Sequence, residues 1–375
     1  MEKQPIRILH VIGSMKLGGA ENLIMNLYRN IDRSRVQFDF VENTLRKAAF
    51  DDEILALGGR IFNCPHYVGK NHLTYTKWWR DFFDAHAGEF TAVHGHIGST
   101  AAIYLRIAKK HGLFTIAHSH NTKGVGIGDL IYRAYSFPTR FIADQFFTCS
   151  QQAGIDRYGE KIGRDPERCI LLHNAIDTAR FAYNPALRKQ TRESLEIPDD
   201  ALVIGHIGRF VPQKNHGFLV EIFAELVKQA PAARLLLVGD GDTEPQVRQQ
   251  VETFGLSDRV IFAGTHKDTA PFYQAMDLFL LPSLFEGLPV VMVEAQTAGL
   301  PCVISDKVPI ACALAQDLVS VVSLSEEARV WASHVLEASR GTRADHAAVI
   351  SDAGFDIRQT AAWLTDYYCS LERPV

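Results

Sequence analysis

Short apolar runs alternate with amphipathic stretches from the start of the chain to its end. The runs have the length and β-branched content of buried strands, and the stretches between them have helical periodicity. In the first half the runs are RILHVIG (7–13), VQFDFVEN (36–43), RIFNCP (60–65), AVHGHI (92–97), LFTIAHS (113–119), QFFTCS (145–150) and CILLHNAI (169–176). This alternation predicts an α/β fold with a parallel sheet that is covered by helices on both faces.

A second series of the same kind begins after residue 177. Its strands are ALVIGHIGRF (201–210), RLLLVGDG (234–241), RVIFAG (259–264), LFLLPS (278–283) and PCVIS (301–305). The pattern predicts two Rossmann-like domains, residues 1–176 and 177–355. The amphipathic tail 356–375 is predicted to be a final helix.

Composition narrows the class of protein. The chain has 375 residues, 47% hydrophobic and 22% charged, which suits two globular domains of ordinary size. A net charge of −4 gives no general attraction to nucleic acid, so we expect no nucleic-acid partner. The six scattered cysteines form no Cys-x-x-Cys and are typical of core thiols. No apolar run reaches the roughly 18 residues of a membrane span, and we expect a cytoplasmic protein.

The segment 282–305, PSLFEGLPVVMVEAQTAGLPCVIS, carries the strongest chemical signal. Glu286 and Glu294 are separated by seven residues. Glu286 lies in a turn, Pro289 suits the first position of a helix, and Gly299 ends that helix one turn after Glu294. The backbone amides at the helix start could hold a phosphate, and the two carboxylates could accept hydrogen bonds from sugar and ribose hydroxyls. The segment therefore predicts a nucleotide-sugar site.

The chain resembles the retaining glycosyltransferases of family four, which have the GT-B fold. The segment above matches their Glu-x7-Glu signature, and four further motifs occur in the family's order. They are LHVIGSMKLGGAEN (9–22), HNAIDTARF (173–181), GRFVPQKN (208–215) and LLLVGDGDTE (235–244). The sequences of these motifs are most similar to those of transferases of bacterial exopolysaccharide or capsule assembly.

The resemblance implies two Rossmann-like domains facing across a cleft, with the last helix crossing back to the first domain. It also implies transfer of a hexose from a nucleotide sugar, with UDP as the expected nucleotide, to an acceptor hydroxyl, with an α-linkage retained. The first domain would bind the acceptor, a glycan or lipid-linked glycan. No metal or other cofactor is expected.

Arg209 and Lys214 follow a strand of the second domain, at the carboxyl end where such sheets bind ligands. Two fixed cations there would stabilise the charge that develops on the leaving diphosphate, and the family places an Arg and a Lys there. The alternative is a solvated basic loop. By resemblance, Glu286 contacts the donor sugar and Glu294 the ribose hydroxyls, although Glu294 could be only a polar residue of an amphipathic helix. The donor-binding backbone is Gly287, Leu288, Pro289 and Val290.

Gly18 and Gly19 lie between the first strand and the first helix, where absent side chains would let a donor diphosphate approach the backbone. A turn with a structural purpose only is the alternative. The surrounding GSMKLGG matches neither the phosphate-binding loop of nucleotide hydrolases nor the dinucleotide fingerprint.

Two His-x-His pairs follow first-domain strands. By resemblance His118 contacts the donor sugar near the reacting carbon, with His120 as the alternative, and His94 and His96 are candidates for acceptor contacts. Paired histidines also occur in zinc sites, but no clustered cysteines or carboxylates accompany them, so we expect no metal. The Asp240-Gly241-Asp242 sequence is interpreted as a glycine turn and not as a magnesium site.

The stretch from Ser99 to Ala143 has six Lys or Arg residues, one acidic residue and interleaved aromatics. This composition suits peripheral contact with the inner membrane surface or with a lipid diphosphate, or equally a core with solvated charges. Within it, the glycine-rich loop 121–130 is either a mobile lid or a long connection.

Three other functions compete with sugar transfer. A non-hydrolysing UDP-sugar epimerase would share the GT-B architecture but lack the Glu-x7-Glu block with Arg209 and Lys214. A non-catalytic partner subunit would bind the nucleotide sugar and transfer nothing. A nicotinamide dehydrogenase would need the dinucleotide fingerprint, which is absent.

Overall fold

The structure is a computed structural model that describes residues 4–16, 18–120, 127–341 and 343–371. The first six residues of the glycine-rich loop, 121–126, lie outside the described residues. The chain divides into two compact units, which we call the N-terminal unit (Met1–Ala175 with Ile357–Val375) and the C-terminal unit (Ile176–Asp356).

The N-terminal unit is built on a parallel sheet with the strand order β3-β2-β1-β4-β5-β6-β7 among the described residues. Its strands are β1 (Ile6–Ile12), β2 (Val36–Glu42), β3 (Ile61–Asn63), β4 (Ala92–Gly95), β5 (Phe114–Ser119), β6 (Gln145–Thr148) and β7 (Cys169–Leu171). Its helices up to the domain boundary are α1 (Gly19–Asn30), α2 (Asp51–Ala56), α3 (His72–His86), α4 (Ala101–Lys110), α5 (Ile127–Ser136), α6 (Gln151–Tyr158) and α7 (Glu160–Gly163). Hydrophobic clusters cover both faces of the sheet, which explains why its strands are continuous apolar runs.

The C-terminal unit repeats the design with the parallel order β10-β9-β8-β11-β12-β13 in the described part of the chain. Its strands are β8 (Val203–Ile207), β9 (Arg234–Val238), β10 (Val260–Gly264), β11 (Leu278–Leu281), β12 (Cys302–Ser305) and β13 (Val319–Val322). Its helices are α8 (Thr178–Phe181), α9 (Pro185–Ser194), α10 (His216–Val227), α11 (Glu244–Thr253), α12 (Ala270–Ala275), α13 (Val290–Thr297), α14 (Ala328–Ala338) and α15 (Ala347–Ile350).

The last helix, α16 (Ile357–Ser370), returns to the N-terminal unit. It packs against α1 and β2, and its buried Leu364 and Tyr368 join the cluster around Phe38. The predicted return of the tail helix to the first domain is therefore confirmed.

The strand order reverses direction beside β1 in one sheet and beside β8 in the other. Loops that leave the carboxyl ends of strands on the two sides of such a point diverge and leave a crevice for ligands. In the C-terminal unit these are the loops after β8 and β11, which carry GRFVPQKN and SLFEGLP. None of the helices in the described ranges has both the length and the apolar character that crossing a bilayer requires.

Candidate active site

The helix predicted from the Glu-x7-Glu block is α13, which spans Val290–Thr297 and is followed by Gly299 at φ +67°. Pro289 is the residue before the helix, with an extended backbone, so the helix starts one residue later than the sequence predicts. No side chain caps the helix start. The first-turn amides, including those of Val290 and Val291, have no acceptor within the helix. Their N–H groups point out of the helix start and carry a partial positive charge.

Glu286 and Lys214 form an ion pair between the two loops at the strand-order reversal. Lys214 Nζ lies 2.6 Å from Glu286 Oε1, and the side chains are only 15% and 7% exposed. Gln213 donates to the other carboxylate oxygen over 3.3 Å and to the Phe285 carbonyl over 2.9 Å. The amide of Leu284 also donates to the Gln213 carbonyl over 2.8 Å. The structure thus brings Lys214 and Glu286 together and fixes both side chains.

Arg209 is exposed and forms no ion pair within the described ranges, so its guanidinium is available to an anion. Its loop is held by the turn after β9, where the Phe210 amide donates to the Asp240 carbonyl over 2.7 Å. Gly239 and Gly241 have φ of +136° and +150°, and a Cβ at either one would overlap the backbone of the Arg209 loop. The Gly-Asp-Gly sequence is therefore a glycine turn that supports the Arg209 loop.

Glu294 lies in the second turn of α13 and is partly buried. Tyr273 on α12 donates its hydroxyl proton to Glu294 Oε2 over 2.7 Å. Burial raises the pKa of Glu294 to about 7; the hydrogen bond from Tyr273 lowers it and the nearby Asp268 raises it further. Burial thus disfavours the ionised form of Glu294. The lone pairs of its carboxylate that Tyr273 does not use can accept hydrogen bonds from hydroxyl groups of a ligand.

Gly287 is exposed with open space around it, and Leu288 and Val290 are half-buried beside it. At the other candidate glycine turn, Gly18 precedes α1 in an extended conformation, and the Glu21 carboxylate packs against it. Gly19 has open space around it. Neither α1 nor α13 has a capping side chain at its start, and the Glu21 carboxylate lies beside Gly18 at the start of α1.

The four predicted histidines of the N-terminal unit lie together, and a fifth, His10 on β1, joins them. His96 Nε2 lies 3.0 Å from His10 Nδ1, and His96 Nδ1 lies 2.8 Å from His120 Nε2. His94 Nε2 lies 3.1 Å from His118 Nδ1. Burial lowers the pKa values of His94, His96 and His118 well below the usual range, so these rings are neutral at pH 7.

Both ring nitrogens of His94 are engaged, because Tyr368 on α16 binds its Nδ1 over 2.6 Å. His94 is also only 1% exposed, and this arrangement suits positioning of His118 better than direct contact with an acceptor. His118 keeps a free Nε2, buried and without a hydrogen-bond partner among the described residues.

Both halves of the chain match models of known protein families. The family model described as Glycosyltransferase Family 4 matches residues 17–180, and the one described as Glycosyl transferases group 1 matches residues 188–347. A Bacillus subtilis (strain 168) protein that carries the name glycosyltransferase EpsF is 35% identical over 98% of this chain and 97% of its own length. The chain belongs to glycosyltransferase family 4.

One further curated protein and one solved structure are similar to this glycosyltransferase. The Escherichia coli UDP-Gal:alpha-D-GlcNAc-diphosphoundecaprenol alpha-1,3-galactosyltransferase is 31% identical over 38% of this chain and 38% of its own length. The crystal structure of Anabaena Alr3699/HepE in complex with UDP-glucose matches 98% of this chain and 100% of that chain, with a TM-score of 0.77 and 19% identity. The GT-B fold predicted from the sequence is confirmed.

Sequence reasoning did not single out His10, Gln213, Tyr273 or Tyr368, which contact predicted site residues of this glycosyltransferase. Tyr273 and Tyr368 belong to no motif, and only the fold brings them to Glu294 and His94. His10 lies in the first predicted strand, RILHVIG, but its pairing with His94 is visible only in the sheet.

Proposed function

We propose that this glycosyltransferase moves a hexose from a UDP-sugar to an acceptor hydroxyl with retention of the anomeric configuration. The observation that carries the proposal is the contact between Lys214 and Glu286 beside the uncapped start of α13. This contact supports the proposal because a cation, a carboxylate and a helix N-terminus near one another are the groups that would bind a leaving phosphate, sugar hydroxyls and a diphosphate.

Each group has a distinct task in the proposed reaction. Arg209 and Lys214 stabilise the negative charge that grows on the diphosphate as the bond to the sugar breaks. Glu286 orients the sugar through its hydroxyls, and Glu294 accepts hydrogen bonds from the ribose. His118 is proposed to contact the sugar near the reacting carbon.

The diphosphate itself is proposed to accept the proton of the attacking hydroxyl. Retention of configuration would then need no separate protein base at the donor site. The two basic side chains already supply the positive charge that a metal ion gives in other transferases, so we propose that transfer is independent of metal.

The UDP assignment is supported by the relatives, since one is named for a UDP-Gal donor and one was crystallised with UDP-glucose. The test is thermal unfolding of the protein with a panel of nucleotides and nucleotide sugars. Ligand at one hundred times its Kd stabilises the folded state by about 2.7 kcal/mol, which gives a clear rise in Tm. A rise with UDP or one UDP-sugar, and none with ADP or GDP, is the expected result; a folded protein that responds to no nucleotide would refute the donor site.

Two assays separate the competing functions. An epimerase converts its UDP-sugar into a new sugar nucleotide without acceptor, whereas the proposed transferase does not. A non-catalytic subunit would show the Tm rise with UDP but release no UDP when donor and acceptor are both present.

We further propose that the acceptor is a lipid-linked glycan of surface-polysaccharide assembly. A groove of about 940 Å³ on the N-terminal unit is lined by the basic Arg80, Arg106 and Lys110 and by Tyr67 and Tyr135. Basic and aromatic groups together suit a diphosphate-linked sugar, the kind of acceptor named for the E. coli relative.

An exposed aromatic pair near this groove supports peripheral contact with the cytoplasmic membrane face. Phe137 and Phe141 are 51% and 76% exposed and lie 5.7 Å apart, and the Arg140 guanidinium is 4.9 Å from the Phe137 ring. Exposed aromatic rings beside a basic side chain are typical of helices that bind anionic lipid surfaces.

Replacing both Phe137 and Phe141 with serine is expected to lower partitioning onto anionic vesicles about tenfold or more, because both rings would lose their place at the interface. Vesicle co-sedimentation measures this, with Leu55→Ser, another exposed apolar residue of the same unit, as the matched control. Equal partitioning of the double variant and the wild type would remove the proposed membrane contact.

A further inference from the structure

The five histidines His10, His94, His96, His118 and His120, which we call the histidine cluster, come from three neighbouring strands and the residues that follow them. The strands β1, β4 and β5 are adjacent in the sheet, and His10 and His94 are directly paired. The sequence shows two separate His-x-His pairs; the fold combines them and adds His10. The argument from sequence against a metal, that further ligands are missing, therefore no longer holds for this cluster.

The rings of the histidine cluster form two hydrogen-bonded chains that lie one on the other. One chain runs His10–His96–His120, and the other runs from Tyr368 through His94 to His118. The ring centres of His94 and His96 are 4.6 Å apart, and those of His118 and His120 are 4.0 Å apart.

The hydrogen bonds within the first chain, His10–His96–His120, do not give every ring nitrogen a partner. Three neutral imidazoles have three N–H groups and three lone pairs, and the two contacts of the chain use two of each. The atoms left at its ends, His10 Nε2 and His120 Nδ1, are buried and have no partner among the described residues. The His118 Nε2 that ends the second chain is in the same condition. Buried polar atoms without partners are rare in native proteins, and of these three the His118 Nε2 is the one that a ligand bound between His96, His118 and His120 would satisfy directly.

We propose that His96, His118 and His120 bind a divalent transition metal of the zinc class. One ring nitrogen from each of the three lies within 4.8 Å of those of the other two. Tetrahedral Zn²⁺ with Zn–N bonds of 2.0–2.1 Å sets its ligand nitrogens roughly 3.4 Å apart, so shifts of about an ångström are sufficient. His96 and His120 are half-buried, which leaves a route for the ion, and imidazole is a preferred ligand of zinc.

The remaining two histidines occupy the positions of supporting partners. With the metal on His96 Nδ1, the proton on His96 Nε2 is donated to His10 Nδ1, 3.0 Å away. With the metal on His118 Nε2, the proton on His118 Nδ1 is donated to His94 Nε2, 3.1 Å away. Metal-bound histidines nearly always donate their second N–H to a hydrogen-bond acceptor, which fixes the tautomer, and here the acceptor would be a second imidazole.

The three proposed ligands belong to the N-terminal unit, whereas Arg209 and Lys214 belong to the C-terminal unit. Three protein ligands would leave one position of a tetrahedral ion open to water or to another small oxygen ligand. A metal on His118 Nε2 would occupy the nitrogen that is proposed above to contact the donor sugar, because His118 Nδ1 is bonded to His94. The two roles of His118 therefore exclude each other, and the titration below, which measures the metal alone, decides between them.

The test is calorimetric titration of tag-free, chelator-treated protein with Zn²⁺, and a parallel titration with Co²⁺ followed by visible absorption. We expect one equivalent of Zn²⁺ to bind, and Co²⁺ to give the intense absorption of a tetrahedral site. His120→Gln and His96→Gln should lose this binding, and His10→Gln should weaken it by roughly 10- to 100-fold. His66→Gln, an exposed histidine of the same unit, should bind as the wild type does.

The absence of saturable Zn²⁺ binding to the wild type would overturn the proposal. Equal binding by wild type and His120→Gln would do the same, because the metal would then lie elsewhere. Circular dichroism checks that each variant is folded. His96 and His120 are both half-buried, so either variant remains informative if the other does not fold.

Discussion

Replacing Arg209 with alanine is expected to lower kcat/KM for sugar transfer by roughly 10²–10³, the usual cost of one fixed transition-state stabiliser. The Arg209 side chain is exposed and holds no ion pair in the described part of the chain, so the fold does not depend on it. The loss should appear mainly in kcat, because charge on the leaving diphosphate grows as the bond breaks. Steady-state UDP release measures the effect.

The matched control for Arg209 is Arg340→Ala, which removes another exposed arginine of the C-terminal unit away from the loops after β8 and β11. Its kcat/KM should stay within a factor of about two of wild type, because surface charges at a distance are screened. If Arg209→Ala and Arg340→Ala have the same activity, Arg209 does not act on the diphosphate.

Glu294→Gln is expected to weaken nucleotide binding and at the same time to stabilise the ligand-free protein at alkaline pH. The amide keeps an oxygen for the Tyr273 hydroxyl but loses the charge that strengthens hydrogen bonds from the ribose. The loss of one charge-assisted interaction corresponds to a Kd increase of roughly 10- to 100-fold for UDP. Isothermal titration at pH 8 measures it, with Glu252→Gln as the exposed control.

The stability effect follows from the raised pKa of Glu294, which is about 7 in the fold against an ordinary value of 4.5. Below pH 4.5 the carboxyl is protonated in both states, so wild type and Glu294→Gln should differ little. Between pH 4.5 and 7 the folded state holds more protons than the unfolded state, so the free energy of unfolding of the wild type falls as pH rises. Above pH 7 the variant should be more stable by on the order of 2–3 kcal/mol.

Urea unfolding at pH 4.5 and pH 8 tests this dependence. If the free energies of unfolding of wild type and Glu294→Gln differ by the same amount at both pH values, the pKa of Glu294 is not raised in the folded state. If Glu294→Gln is more stable than the wild type at pH 8 and also binds UDP more weakly, Glu294 lowers the stability of the fold and contributes to ligand binding.

Nucleotide binding itself should depend on pH through the same group. At pH 6 most Glu294 is protonated and offers fewer acceptors to the ribose, whereas at pH 8 most of it is ionised. The Kd for UDP should therefore fall from pH 6 to pH 8 in the wild type and change less in Glu294→Gln.

The local pattern of the chain predicts most of the fold, because parallel strands buried on both faces are short apolar runs that cannot be mistaken for solvated loops. The helix α13 and its end at Gly299 follow from proline and glycine chemistry within a few residues. Helix α3 was not assigned, although Tyr75, Trp79, Phe82 and Phe83 bury one face of it at helical spacing.

The contacts between the site residues could not be predicted from the sequence. Lys214 and Glu286 are 72 positions apart, and only the adjacency of β8 and β11 brings their loops together. The hydrogen bond from Tyr273 to Glu294, and the contact of Tyr368 with His94, join elements that share no local pattern. Residue types could be predicted from sequence, but their partners depend on tertiary packing.

The most direct test of sugar transfer with retention is NMR of the product made from a UDP-sugar that raises Tm and a diphosphate-linked glycan acceptor. We predict an α-linked product from the α-linked donor, formed by the wild type and by Arg340→Ala and strongly reduced with Arg209→Ala. A β-linked product, or a new sugar nucleotide formed without acceptor, would contradict the account.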